Sequence, residues 1–247
     1  MDFHLHTYYS ACGKRDMVPA RVAAGFRAAD YEAIGFTDHL HPWIDPAIFH
    51  RLRRDLAQSR DQTDGLDCYV GCEAEVIAPG TVTLDEKTAE TLDFAIISAS
   101  HFHLDHVARP GDPSPAGVAA HYLRYFVDAI RCSGASAIAH PFIANRDALG
   151  PVAEILPHVD RNGLRAALEE AAGRGVAVEL SPKALSPGNF DVLLDFYQQA
   201  RECGVRFLIG SDAHNTERIA STSRLEPLIS ALALTDEDIW RPIAPPR

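Results

Sequence analysis

Histidines and carboxylates in this 247-residue chain stand in short groups rather than at scattered positions. The groups are His4-Leu5-His6, Asp38-His39, Glu73-Ala74-Glu75, Ser100-His101, Ala139-His140-Pro141 and Gly210-Ser211-Asp212-Ala213-His214. In an extended segment side-chain direction repeats every two residues, so His4 and His6 point to one side. Imidazole mixed with carboxylate is a donor set for Zn, Mn or Fe, whereas Ca or Mg would take nearly all oxygen. These candidates exceed what one tetrahedral ion needs, which implies two or three divalent ions, with Glu73 able to bridge a pair. Two ions roughly 3.5–4 Å apart clamp the attacking hydroxide and leaving oxygen of a phosphoryl transfer, and lower the pKa of bound water to near 7. No protein nucleophile is then needed. The sequence has no GxSxG and no Walker-type glycine loop, and Ser10 and Ser211 fit no Ser-His-Asp arrangement.

Short apolar runs that read as strands precede or contain each group: 2–6, 33–38, 67–76, 93–100, 136–140, 175–180 and 205–211. Helical patterns lie between them, at 19–29 with a first-turn Pro19, and at 46–62, 115–132, 161–174, 190–203 and 216–232. Gly134, Gly175 and Gly204 each fall after a helix and before a strand, as helix-ending glycines do. Such alternation implies parallel strands with helices packed outside. The expected fold is an α/β barrel of about seven βα units, one domain over 1–247, with an irregular Pro-rich tail at 241–247. In a parallel barrel every strand C-terminus opens on one face, so six of the seven ends aim an imidazole or carboxylate at a single rim. Held together unpaired, those groups would be costly; cations remove the penalty.

Composition narrows the partners. Lys and Arg number 23 against 34 Asp and Glu, a formal charge of −11. Phosphate neutralisation needs clustered cations, so a nucleic-acid polymer is not expected. No apolar run approaches the roughly 18 residues of a membrane span, and Met1-Asp2-Phe3-His4 does not open like a signal peptide. The five cysteines (12, 68, 72, 132 and 203) form no CxxC pair, which fits a reduced cytoplasmic compartment. Nothing in the sequence sets an oligomeric state.

Taken in order, the segments Asp2-Phe3-His4-Leu5-His6-Thr7 with Ser10, Gly35-Phe36-Thr37-Asp38-His39, Gly71-Cys72-Glu73-Ala74-Glu75, Ser100-His101, Ala139-His140-Pro141 and Gly210-Ser211-Asp212-Ala213-His214 resemble the polymerase-and-histidinol-phosphatase (PHP) superfamily. The resemblance spans essentially 2–220 and implies a distorted (β/α)7 barrel that hydrolyses phosphoesters at two or three metal ions. Carried over by position, it implies one ion on His4, His6, Glu73 and Asp212, and a second on Glu73, His101 and His140. A third would use His39 and His214 plus a histidine eight residues after the first. That position is Cys12 here. A thiolate at Cys12 would favour Zn or Fe; without one the third site would be weak or empty. Segment 10–22 looks most like the histidinol-phosphatase branch. Glu179-Leu180-Ser181-Pro182-Lys183, however, lacks the Asn-Thr-x-Gly-Leu-Arg stretch associated with that branch's phosphate clamp.

The expected activity is therefore hydrolysis of a small phosphomonoester, L-histidinol phosphate first, by in-line attack of metal-bound hydroxide, with Asp212, His214 and His39 serving the chemistry. Phosphate also needs cationic donors, for which Arg146, Lys183 and Lys14 stand near the rim. His41, His103 and His106, just past strand ends two and four, could support a ligand or touch substrate. Asp38, Asp105 and Glu75 could orient a ligand, and His50, His121 and His158 read as solvated surface. The alternatives are a nucleotide or phosphodiester hydrolase on the same site, and an amidohydrolase. Against the latter, strand four carries no bridging lysine.

Overall fold

A computed structural model describes residues 1–143, 148–186 and 188–243. Its strands are β1 (Asp2–Leu5), β2 (Ala33–Phe36), β3 (Asp67–Val70), β4 (Cys72–Ala78), β5 (Thr81–Val82), β6 (Ala95–Ser98), β7 (Ala137–Ala139), β8 (Ala177–Leu180) and β9 (Phe207–Ile209). The helices are α1 (Pro19–Ala28), α2 (Ala47–Gln58), α3 (Arg60–Thr63), α4 (Glu86–Ala89), α5 (Pro115–Arg131), α6 (Val152–Ile155), α7 (Arg161–Arg174), α8 (Phe190–Glu202) and α9 (Glu226–Ala231). One parallel sheet runs β1-β2-β3; a second runs β5-β4-β6-β7-β8-β9, parallel except for the β4–β5 hairpin. Isolated parallel bridges, His39 to Glu73 and Leu5 to Ala213, link the sheets at both seams, which suits a distorted barrel.

The helices cover this barrel because their apolar residues recur at helical spacing. α5 buries Val118, Ala119, Tyr122, Tyr125, Phe126, Ala129 and Ile130 along one stripe. It begins where the Ser114 hydroxyl accepts the Gly117 N–H, with Pro115 in the first turn. α7 is capped by Asp160 and stopped by left-handed Gly175. Cross-strand partners share a side of a sheet. Glu73 pairs with Ile96, Ile96 with Ala137, Ala137 with Ala177, and Glu179 with Leu208. That side is mostly apolar around its carboxylates, with Phe3, Tyr69, Phe94 and Trp240 packed on it.

Three expectations need correction. The run at 67–76 is two strands, broken at Gly71, where a side chain would stand 2.7 Å from the Phe94 carbonyl oxygen. The helix at 46–62 breaks at Ser59. Segment 216–232 is no single helix: Ala220 is left-handed (φ 62°) and divides two 3-10 turns, and only Glu226–Ala231 is α-helical. Among the described residues no helix is long and apolar enough to cross a membrane.

Candidate metal centre

Glu73 is the centre of the cluster. Its Oε1 lies 3.0 Å from His140 Nε2 and 3.2 Å from His101 Nε2. Its Oε2 lies 3.0 Å from His39 Nδ1 and 3.4 Å from the Nε2 atoms of both His4 and His6. Asp212 Oδ1 closes the far side, 3.0 Å from His6 Nε2 and 3.4 Å from His4 Nε2. His4 and His6 face each other through Nε2 at 3.1 Å. These atoms reach one place because their residues sit on or just past the C-terminal ends of β1, β2, β6, β7 and β9, and Glu73 at the start of β4.

The opposite edge of most rings is held. His4 Nδ1 donates to Glu179 Oε1 at 2.8 Å and His101 Nδ1 to Glu75 Oε2 at 2.9 Å. His140 Nδ1 is 3.0 Å from Ser100 Oγ, and His214 Nδ1 donates to the Asp212 carbonyl at 2.8 Å. In His4, His101 and His214 this reserves Nδ1 for a proton and leaves Nε2 as the nitrogen that can turn to a metal once it is deprotonated, the orientation that metal-binding histidines show. His39 Nδ1 is buried and, although near Glu73, is not aligned to donate to it. Two histidines offering ring nitrogens to each other, an orphaned imidazole nitrogen and a carboxylate shared by five rings fit divalent cations better than they fit hydrogen bonding alone. The split of Glu73, with one oxygen toward His101 and His140 and the other toward His4, His6 and His39, suits a bridging ligand.

Backbone geometry agrees. His140 (φ 26°) and Asp212 (φ 53°) hold left-handed conformations that non-glycine residues adopt at a cost of about 1–3 kcal/mol. Such strain persists where the surroundings over-determine it, here through the Glu179 Oε2 that accepts the His140 N–H and the His4 carbonyl that accepts the Asp212 N–H.

Burial opposes charge throughout the cluster, and neighbours decide the outcome. Burial would raise Glu73 and Asp212. The rings of His101, His39 and His4 hold Glu73 well below the usual carboxylate range, and Lys183 and His4 do the same for Asp212. Burial depresses His101, but Glu73 and Glu75 outweigh it and hold the ring up at about 9. His39 stays well below its ordinary value through burial, and His214 falls to about 4 through burial and the neighbouring His6.

A cleft of about 630 Å³ opens over these residues. Cys12 lines it and shares a compact donor group with His6, His39 and His214. Crowding by protein, then the charges of Glu73, Asp212 and Asp38, pushes the thiol up to about 12. Lys183 lines the cleft and pairs its ammonium with Asp212 Oδ2. Lys14 is exposed; its backbone N–H donates to the His214 carbonyl, and its side chain is not part of the cleft lining. Arg146 lies outside the described residues. Asp38 ties down the loop after β1 by accepting from the Thr7 N–H and from the Thr7 and Ser10 hydroxyls. His121, expected on the solvated surface, instead packs its ring 4.3 Å from that of Tyr125 and donates to the Ala108 carbonyl. His50 and His158 are exposed as expected.

Sequence reasoning missed Glu179, Asn215 and Arg218, the last two in the cleft wall. Glu179 had a signal: it is the one ionisable residue in the buried strand Ala177–Leu180. Asn215 precedes and Arg218 ends a short 3-10 turn, with no pattern to mark them.

The PHP domain family model matches residues 2–183. The chain is 25% identical over 234 residues to a Deinococcus radiodurans protein named probable histidinol-phosphatase, covering 86% of this chain and 85% of that one. Its fold is similar to the crystal structure of histidinol phosphate phosphatase (HisK) from Lactococcus lactis, complexed with Zn, L-histidinol and phosphate. That similarity has a TM-score of 0.66 at 18% identity, over 95% of this chain and 94% of that one. A Listeria monocytogenes structure also named hisK gives a TM-score of 0.66 at 14% identity, over 89% and 97% of the two chains.

Proposed function

The chain belongs to the PHP domain family, and from that premise we propose that it is a metal-dependent phosphatase acting on a small phosphomonoester, with L-histidinol phosphate as the first candidate. The observation that carries this reading is Glu73, a buried carboxylate with five imidazole nitrogens within 3.4 Å of its oxygens. The fold is read as one distorted (β/α)7 barrel domain over 1–247, with β3 and β4 counting as one kinked strand and 241–247 as its tail. All five cysteines are free, which supports a reducing, cytoplasmic setting.

His4, His6, Glu73 and Asp212 would hold one ion, and Glu73, His101 and His140 a second; His39, His214 and Cys12 would hold a third. Zn, Mn and Fe suit these donors, and Cys12 tilts the choice toward Zn or Fe. When bound, such ions acidify water and draw charge from the phosphoryl oxygens. The chain's own residues do the rest. Lys183 turns its ammonium into the cleft, where it can bind a phosphoryl oxygen and leave Asp212 to face His4 and His6. Arg146 is proposed as a second phosphate donor and Lys14 as an outlying one. His214 and His39, both low in pKa, stay neutral at pH 7, the form that offers a ring lone pair to an ion, and they serve the chemistry by holding the third ion beside the ester, with the Asp212 carbonyl orienting His214 by accepting its Nδ1–H. Water then attacks phosphorus in line as the ester P–O bond breaks, and one of its protons ends on the leaving oxygen, giving the free alcohol and inorganic phosphate.

The test is hydrolysis by the Zn- or Mn-loaded chain, read as phosphate release from L-histidinol phosphate, sugar phosphates and nucleotides, and as release of the alcohol from a chromogenic phosphodiester. Turnover on the order of 1 per second or faster, confined to monoesters and highest with L-histidinol phosphate, supports the proposal. Turnover on the diester alone would move the assignment to the phosphodiesterase alternative.

A further inference from the structure

The ligand cluster is repeated one rung higher. Glu73 and Glu75 are two residues apart on β4, and His39 and His41 two apart after β2, so each pair returns to one side of its segment. The two segments are in parallel register: His39 bridges to Glu73, and the Leu40 N–H donates to the Glu73 carbonyl at 2.8 Å. The next rung sets His41 beside Glu75, with Nδ1 2.7 Å from Oε1. From the loop after β6, His106 brings Nε2 to 2.5 Å from that same oxygen. The three donor atoms lie within 4.8 Å of one another, and His41 and His106 have no part in the cluster around Glu73. Glu75 is almost wholly buried, while 13% of the His41 side chain and 20% of the His106 side chain remain open to solvent. The exposed indole of Trp43 flanks both rings, with centroids 5.1 Å from His41 and 4.8 Å from His106.

We propose that His41, Glu75 and His106 form an additional divalent-cation site at the rim, distinct from the ions around Glu73. Two imidazoles and one carboxylate form the donor set that selects Zn, Mn or Fe over Ca or Mg, and the open side leaves room for water to complete the coordination. Both rings converge on one oxygen, so a cation can take both lone pairs where hydrogen bonding must spend two N–H groups on a single acceptor. The site is tied to the inner cluster through Glu75, whose other oxygen accepts His101 Nδ1 at 2.9 Å. Glu75 is thereby a positioning residue for His101 as well as a ligand of the outer ion.

The experiment counts ions. The full chain is stripped, reloaded with Zn, dialysed to constant metal and assayed by mass spectrometry, beside His41→Ala and His106→Gln. Each variant should hold one Zn fewer than the parent. Crystals of the loaded parent, with data collected above the Zn absorption edge, should show an anomalous peak between His41, Glu75 and His106. Equal metal content in all three proteins, or anomalous peaks confined to the surroundings of Glu73, overturns the proposal and leaves the inner cluster standing. A parent chain that binds no Zn anywhere overturns the inner cluster as well. The map is read on the parent, so a variant that fails to fold does not remove the test.

Discussion

The His4 ring donates from Nδ1 to Glu179 Oε1 across 2.8 Å, and neither side chain meets solvent. The other Glu179 oxygen accepts the His140 N–H, so one carboxylate on β8 fixes His4 on β1 and His140 after β7. Glu179→Gln keeps the shape and removes the charge that holds His4 in position. The expected result is a 10–100-fold loss of metal affinity or activity in a folded protein, the usual cost of losing a partner behind a ligand. Metal competition titration and kcat measured at saturating metal check it; unchanged affinity and kcat would show Glu179 to be a core residue only.

Space for that carboxylate comes from Gly210. A methyl group there would stand 2.2 Å from Glu179 Oε1 and 2.6 Å from His4 Cβ. Gly210→Ala should therefore cost about 1–3 kcal/mol, the range for overpacked cores, and lower metal affinity at the same time. Denaturant unfolding of the metal-free protein measures the first effect, and a variant as stable as the parent would contradict it.

Lys183 faces the cleft with its charge paired to Asp212. Lys183→Ala should raise KM for a phosphomonoester and weaken inhibition by inorganic phosphate, each by tenfold or more. Lys183→Arg should recover part of both, since it restores a phosphate-binding cation. Phosphate inhibition constants for the three proteins decide the matter.

Metal uptake should release protons. Without an ion His101 is held at about 9 and the Cys12 thiol at about 12, so both carry a proton at pH 7. Ligands must be deprotonated, so binding displaces those protons, and affinity rises as pH rises, roughly tenfold per pH unit for each proton lost. Calorimetric titrations with Zn in buffers of different ionisation enthalpy, between pH 6 and 8, should report net release. Cys12→Ala should release one proton fewer; an identical count would remove Cys12 from the ligand set.

Much of the site was legible because its residues sit at strand ends, and strand ends are marked by apolar runs. His4, His6, His101, His140 and Asp212 could be placed on one rim from spacing alone, because parallel strands bring all their C-termini to one face, whereas Glu73 reaches it from the start of β4, beside the break at Gly71. Register was not legible. Nothing local shows that His39 falls opposite Glu73, which puts His41 beside Glu75. Glu179 was hidden for a related reason: a carboxylate within a buried strand makes sense only once its partners on β1 and after β7 are known. The segment after Asp212 misled because its apolar spacing suits a helix, while Ala220 turns left-handed and breaks it. His121 misled in the opposite way, its polarity suggesting solvent where the fold supplies Tyr125 and the Ala108 carbonyl.

The central claim is that ions gathered around Glu73 drive phosphomonoester hydrolysis. Its most direct test follows phosphate release from L-histidinol phosphate by the parent chain and by Glu73→Gln, each stripped with chelator and then titrated with Zn or Mn. The stripped parent should release no phosphate and recover in step with bound metal, and Glu73→Gln should be at least 1000-fold slower at every metal concentration. Release that survives stripping, or a Glu73→Gln variant as active as the parent, would contradict it.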